Sequence, residues 1–182
     1  MAYIPLVLAA VIIAWFVAAY NKLVRFRNQI KNAWHQIDVQ LKRRYDLIPN
    51  LVEVVKDYMS YEQETLTKVI EARGAALTAK GPAAQAKAEG VLTETLKSLF
   101  AVVENYPELK ANENVASLQE ELTGTENKIS FARQFYNDSV MTYNNAIQSI
   151  PTNFIASSFN FGKEAYFETE PESRAVPKAN LR

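Results

Sequence analysis

Residues 3–20, YIPLVLAAVIIAWFVAAY, are uncharged and almost wholly apolar, and no other feature of the chain limits its fold so tightly. As an α-helix rising about 1.5 Å per residue, a run of this length reaches about 27 Å, close to the hydrocarbon thickness of one bilayer. The run is therefore read as a transmembrane helix, with residues 1–21 as the anchor. Tyr3 and Tyr20 stand at the two interfacial positions, and Pro5 falls in the first turn, where a missing N–H costs little. A cleaved signal peptide fits less well: no basic segment precedes the run, and Ala18-Ala19 lead into Tyr20, Asn21 and a basic helix. Ala10, Ala14 and Ala18 recur every fourth residue. They form a ridge of small side chains on which two such helices could approach closely, and a homo-oligomer is expected on that ground.

Twenty basic and twenty acidic residues cancel over the chain, yet their order is far from even. Residues 1–21 carry no charge, whereas residues 22–44 carry Lys22, Arg25, Arg27, Lys31, Lys42, Arg43 and Arg44 against Asp38 alone. The remainder is correspondingly acidic. Lys22, Arg25, Arg27 and Lys31 lie within about ten residues of the anchor's end, where basic residues are retained in the cytoplasm. The expected topology is single-pass, N-terminus out, C-terminal domain in the cytosol. The nearest polyanion to these four residues is the inner leaflet, which draws roughly 1 kcal/mol per nearby Lys or Arg. Lipid headgroups, and not a nucleic acid, are their expected partners.

Beyond the anchor, Gly and Pro together number only 12 of 182 residues, which disfavours turn-dense β architectures. Apolar residues instead recur at helical spacing. Leu23, Phe26, Ile30, Ala33, Trp34, Ile37 and Leu41 form one stripe, and Leu51, Val54, Val55, Tyr58, Leu66 and Val69 continue it to about Lys80. Gly81-Pro82 is a stop-and-restart signal, followed by Leu92, Leu96, Leu99 and Val103 on a helix from about Ala83 to Asn105. The longest pattern begins near Asn114 and runs to Pro151. At Asp46-Leu47-Ile48-Pro49 two readings exist: a new helix capped by Asp46, or one long bent helix. The first is preferred, giving four helices over residues 22–150 in an all-α fold.

The chain has no cysteine and one histidine, His35, read as a surface residue, and Glu-x-x-His, HExxH, GxSxG and nucleotide-binding glycine patterns are all missing from the sequence. No catalytic residue, metal or cofactor is expected, and the reading is non-enzymatic.

Two long blocks stand out: AWHQIDVQLKRRYDLIPNLVEVVKDY at residues 33–58 and LTGTENKISFARQFYNDSVMTYNNAIQSIPTNFIA at residues 122–156. In order and content they resemble the two signatures of the LemA family. That resemblance implies an antiparallel, up-and-down four-helix bundle on a single membrane helix, in a bacterial protein family without an established biochemical activity. Read from the residues alone, Arg43, Arg44, Asp46, Pro49 and Asn50 gather at the expected bend. Gly124, Thr125, Glu126 and Asn127 set small and hydrogen-bonding groups inside a helical pattern, as at close helix approaches. Glu126 is the first candidate partner for Arg43 or Arg44. The tandem pairs Tyr136-Asn137 and Tyr143-Asn144 complete the second block. An internal polar knot and a ligand site look alike in sequence, and the knot is preferred.

The tail, residues 151–182, carries Phe154, Ile155, Phe159, Phe161, Tyr166 and Phe167 without a regular period. It is expected to dock back as an extended segment, with the last dozen residues, around Pro171 and Pro177, disordered. Two functions fit. The chain is a membrane-anchored scaffold or adaptor that acts through contacts with an unidentified membrane or cytoplasmic protein, or it is a self-assembling homo-oligomer that organises the membrane.

Overall fold

The computed structural model describes residues 3–59 and 61–168, all helical apart from turns and a C-terminal extended stretch. Six helices follow in order: α1 Ile4–Val55, α2 Gln63–Thr78, α3 Pro82–Val103, α4 Pro107–Lys110, α5 Glu113–Gln148 and α6 Thr152–Ser158. The expectation of a disordered C-terminus concerns residues outside those described.

The preferred break at Asp46–Pro49 is not there. α1 runs for 52 residues with Pro49 inside it, and the chain leaves the helix only after Val55. The physical reason lies in one hydrogen bond. Proline at position 49 has no N–H to give the carbonyl four residues back, that of Tyr45. Arg73 on α2 supplies the missing donor, its Nε lying 2.8 Å from the Tyr45 carbonyl oxygen. The helix loses a rung and gains a cross-helix bond in its place.

The remaining boundaries follow ordinary capping chemistry. Gly81 has φ 83° and ψ 162°, a backbone state that suits glycine, and Pro82 then occupies the first turn of α3. Asn112 accepts the backbone N–H of Asn114 at 2.9 Å through its side-chain oxygen, starting α5. α6 replaces part of the extended tail that the sequence suggested, and Asn160, with φ 54°, turns the chain beyond it.

The chain divides into two compact units. Among the described residues, the first comprises 3–39 with Ile129–Tyr166, and the second comprises Gln40–Lys128 with 167–168. In the first, Leu23, Ile30, Ala33 and Ile37 of α1 are buried, as are Ile129, Tyr136, Val140 and Tyr143 of α5 and Ile155 and Phe161 beyond it. In the second, Leu41, Ile48, Leu51 and Val55 of α1 are buried, together with Leu66 and Val69 of α2 and Leu92, Leu96 and Leu99 of α3. There α2 and α3 pack on each other as a helical hairpin.

The start of α1 behaves differently from the rest. Leu6, Val7, Val11, Ile12 and Ile13 are all more than half exposed, so this stretch, long and apolar enough to cross a membrane, shows its apolar surface outward.

Candidate functional site

The second unit is organised around Arg44, of which only 3% is exposed. Its Nη1 donates to Glu89 Oε2 at 3.0 Å and lies 2.9 Å from Glu126 Oε2, while Nη2 donates to Thr93 Oγ1 at 2.8 Å. One guanidinium from α1 thus holds a fully buried carboxylate of α3 and a partly exposed one of α5. The second oxygen of Glu89 accepts the Tyr45 hydroxyl, and Gln85 Nε2 donates to the Tyr45 oxygen at 2.8 Å and to the Ala76 carbonyl at 3.1 Å. A fork-shaped donor set suits this task, since one arginine can satisfy several acceptors in fixed geometry. Burial, and then the hydrogen bond to Glu89, push the Tyr45 hydroxyl far above the ordinary tyrosine range, so it remains a proton donor.

Other residues of these two blocks fall elsewhere. Arg43, one residue away and rotated by about 100° on the helix, is half exposed and meets Glu121 at 3.3 Å. Asp46, Pro49 and Asn50 are exposed. On an unbroken helix Asp46 and Asn50 turn away from the face of Arg44, so the expected grouping of all of them at a bend does not form. Gly124 also departs from the reading that marked it as a close helix approach: a Cβ built there would meet nothing within 4 Å. Thr125 is buried and bonds back to the Glu121 carbonyl at 2.8 Å. Asn127 is exposed and, with Arg44, Thr93, Lys97, Phe100 and Glu126, lines a cavity of about 160 Å³ beside the network.

Glu89, Gln85 and Thr93 were not singled out by the sequence reading, although a signal was present. Residues 85, 89, 92, 96, 99 and 103 step by four and three along α3, and all six are buried. Glutamine and glutamate at the first two positions of an otherwise apolar seam mark a polar layer in a core.

In the first unit the tandem Tyr-Asn pairs act on the returning chain. Asn144 Nδ2 donates to the Glu164 carbonyl and Asn144 Oδ1 accepts the Glu164 N–H, both at 3.0 Å. The side-chain amide imitates a neighbouring backbone strand. One step along, the Tyr136 hydroxyl donates to the Ala165 carbonyl at 2.9 Å, and its ring meets Trp34 edge-on at 5.5 Å. Burial, and next the Glu164 carboxylate, push the Tyr136 hydroxyl up to about 12. Asn137 is half-buried between these two anchoring residues in sequence. Gln29 of α1 donates to Ser139 of α5 at 3.3 Å.

The juxtamembrane basic residues Lys22, Arg25, Arg27 and Lys31 are exposed. Lys22 stands 5.6 Å from the Phe26 ring centre. Arg27 and Lys31 line a cavity of about 240 Å³ with Trp34, His35, Tyr136 and Glu164. Ala10, Ala14 and Ala18 are exposed on the apolar stretch of α1. Among the described residues no three His, Cys, Asp or Glu side chains gather as a metal-holding group.

All-helical through its described residues, with one apolar helix of membrane length and a buried ion pair between helices, the chain has the character of a membrane-associated helical protein. The LemA family model matches residues 33–180, and the chain belongs to that family. It is 25% identical over 169 residues to Protein LemA of Metamycoplasma hominis, a match covering 92% of this chain and 77% of that one. It is also 24% identical over 185 residues to Magnetosome protein MamQ 2 of Paramagnetospirillum magneticum, covering 87% and 68%. Magnetosome protein MamQ of Magnetospirillum gryphiswaldense is similar at 24% identity over 178 residues, covering 84% and 65%.

Proposed function

We propose that this protein is a non-enzymatic, membrane-anchored helical adaptor that presents its helical surface to another protein at the cytoplasmic face of a bacterial inner membrane. The apolar stretch of α1 is the single-pass anchor, N-terminus out, and Lys22, Arg25, Arg27 and Lys31 contact lipid headgroups. Within the second unit, the segments of α1, α2, α3 and α5 are read as an up-and-down four-helix bundle locked by Arg44 and Arg73. The observation that carries the adaptor reading is an exposed aromatic pair on α5: Phe131, 73% exposed, and Phe135, 42% exposed, stand one turn apart. Two large aromatics on one helix face are costly to leave in water and are typical anchors of protein contacts.

A photo-reactive phenylalanine analogue at position 131 of the full chain, activated in intact membranes, tests this reading. An adduct with a different protein is the expected result. Adducts only at multiples of the chain's own mass would overturn the adaptor in favour of self-assembly, and the absence of adducts would overturn both.

A further inference from the structure

Residues 139–162 carry no Asp, Glu, Lys, Arg or His. This stretch covers the end of α5, all of α6 and the turn beyond, and it shares the first unit with the charge-free residues 1–21. The two stretches, more than a hundred residues apart in sequence, meet through aromatic rings. Phe159 lies 5.9 Å from Phe16 and 4.9 Å from Tyr20, and Phe161 lies 5.7 Å from Tyr20. Phe16 and Tyr20 are one helical turn apart at the C-terminal end of the apolar run, so their rings mark a level within about 6 Å of each other along the helix. Phe159 therefore sits beside the C-terminal end of the apolar run.

Around this contact the surface has two kinds of residue. Ile155, Ala156 and Phe161 turn into the unit and are at most 8% exposed. Ile150, Phe154 and Phe159 turn outward, at 80%, 66% and 47% exposed. The polar groups between them are uncharged: Thr152, Asn153, Ser157, Ser158 and Asn160. A face of large apolar side chains, edged by hydroxyls and amides and continuous with the surface of a spanning helix, matches the layer where headgroups meet acyl chains. We propose that the α5–α6 corner is a second membrane contact, with Ile150, Phe154 and Phe159 seated in the interfacial layer of the leaflet where α1 emerges. The inference rests on the anchor reading above. Its consequence is mechanical: a helix held at one point can tilt, whereas a helix with a second contact beside it has a fixed direction at the membrane.

The chain has no native cysteine, so single labels are unambiguous. The full chain carrying Ser158→Cys, Ile12→Cys or Ser117→Cys is labelled with bimane and reconstituted into vesicles of phosphatidylethanolamine and phosphatidylglycerol. Quenching is read from lipids brominated on the acyl chain and from iodide in the water. The expected result is lipid quenching at positions 12 and 158 and iodide quenching at position 117 alone. Adding Ile150→Ser and Phe154→Ser to the position 158 protein should reduce its lipid quenching and raise its iodide quenching while position 12 is unchanged. Lipid quenching at 12 with iodide quenching at 158 would overturn the second contact and leave the anchor standing. Protection of position 158 from both quenchers would overturn it in favour of coverage by a second copy. Absence of lipid quenching at position 12 would overturn the anchor itself and the inference with it.

Discussion

Arg43 and Arg44 are adjacent in sequence and alike in chemistry, yet their surroundings set their energetic weight far apart. Replacing Arg44 by Leu strands the buried Glu89 carboxylate, and should cost about 3–5 kcal/mol. Replacing Arg43 by Leu removes an ion pair whose partners are both about half exposed, at 50% and 46%, and should change stability by under about 0.5 kcal/mol. Chemical unfolding of the full chain in detergent, followed by circular dichroism, compares the two. Similar values would mean that the network carries no special weight. The sequence pointed to Arg44 and Glu126 because both lie in the two long blocks, but Glu89 lies between them and could be found only by noticing a carboxylate on an apolar seam. Tyr136 adds a pH dependence. Its hydroxyl, raised to about 12, stabilises the folded chain fully below the ordinary tyrosine range near 10, and that contribution is lost as pH rises through about 12. The unfolding free energy should therefore fall more steeply between those values in the natural chain than in Tyr136→Phe, and parallel curves would contradict the assignment.

At the scale of elements, Pro49 shows why the helix boundaries were only partly legible. Gly81-Pro82 announced a real boundary, because glycine there takes a positive φ and proline there begins the next helix. Pro49 announced a false one. Local rules count the hydrogen bond that proline removes, but not the Arg73 side chain that replaces it from 28 residues away. The real end of α1, after Val55, has neither glycine nor proline, so nothing in its local composition marks it. A double-mutant cycle measures the compensation. Arg73→Met should cost about 1–2 kcal/mol while Pro49 is present, since the Tyr45 carbonyl then has no donor. In a Pro49→Ala background the backbone supplies one, and the same substitution should cost clearly less. Equal costs in the two backgrounds would show that Arg73 and Pro49 are independent. The aromatic tail gave a comparable mixed reading. Its need for cover was visible, and Asn144 and Tyr136 hold residues 164 and 165, while the short helix α6 had no period strong enough to announce it.

For the molecule as a whole, the proposed location of the helical domain rests on the opening apolar run and the basic residues after it. The apolar residues and Arg44 belong to the same helix, α1, which spans Ile4–Val55. The orientation is the claim on which the account chiefly depends, and Ser117 gives access to it: exposed on α5, distant in sequence from the anchor, and in a chain without cysteine. The measurement is the reaction of Ser117→Cys with a membrane-impermeant thiol reagent in intact bacterial spheroplasts. No labelling before lysis and full labelling after it is the predicted result; labelling in intact spheroplasts would place the helical domain outside the cytoplasm and contradict the account.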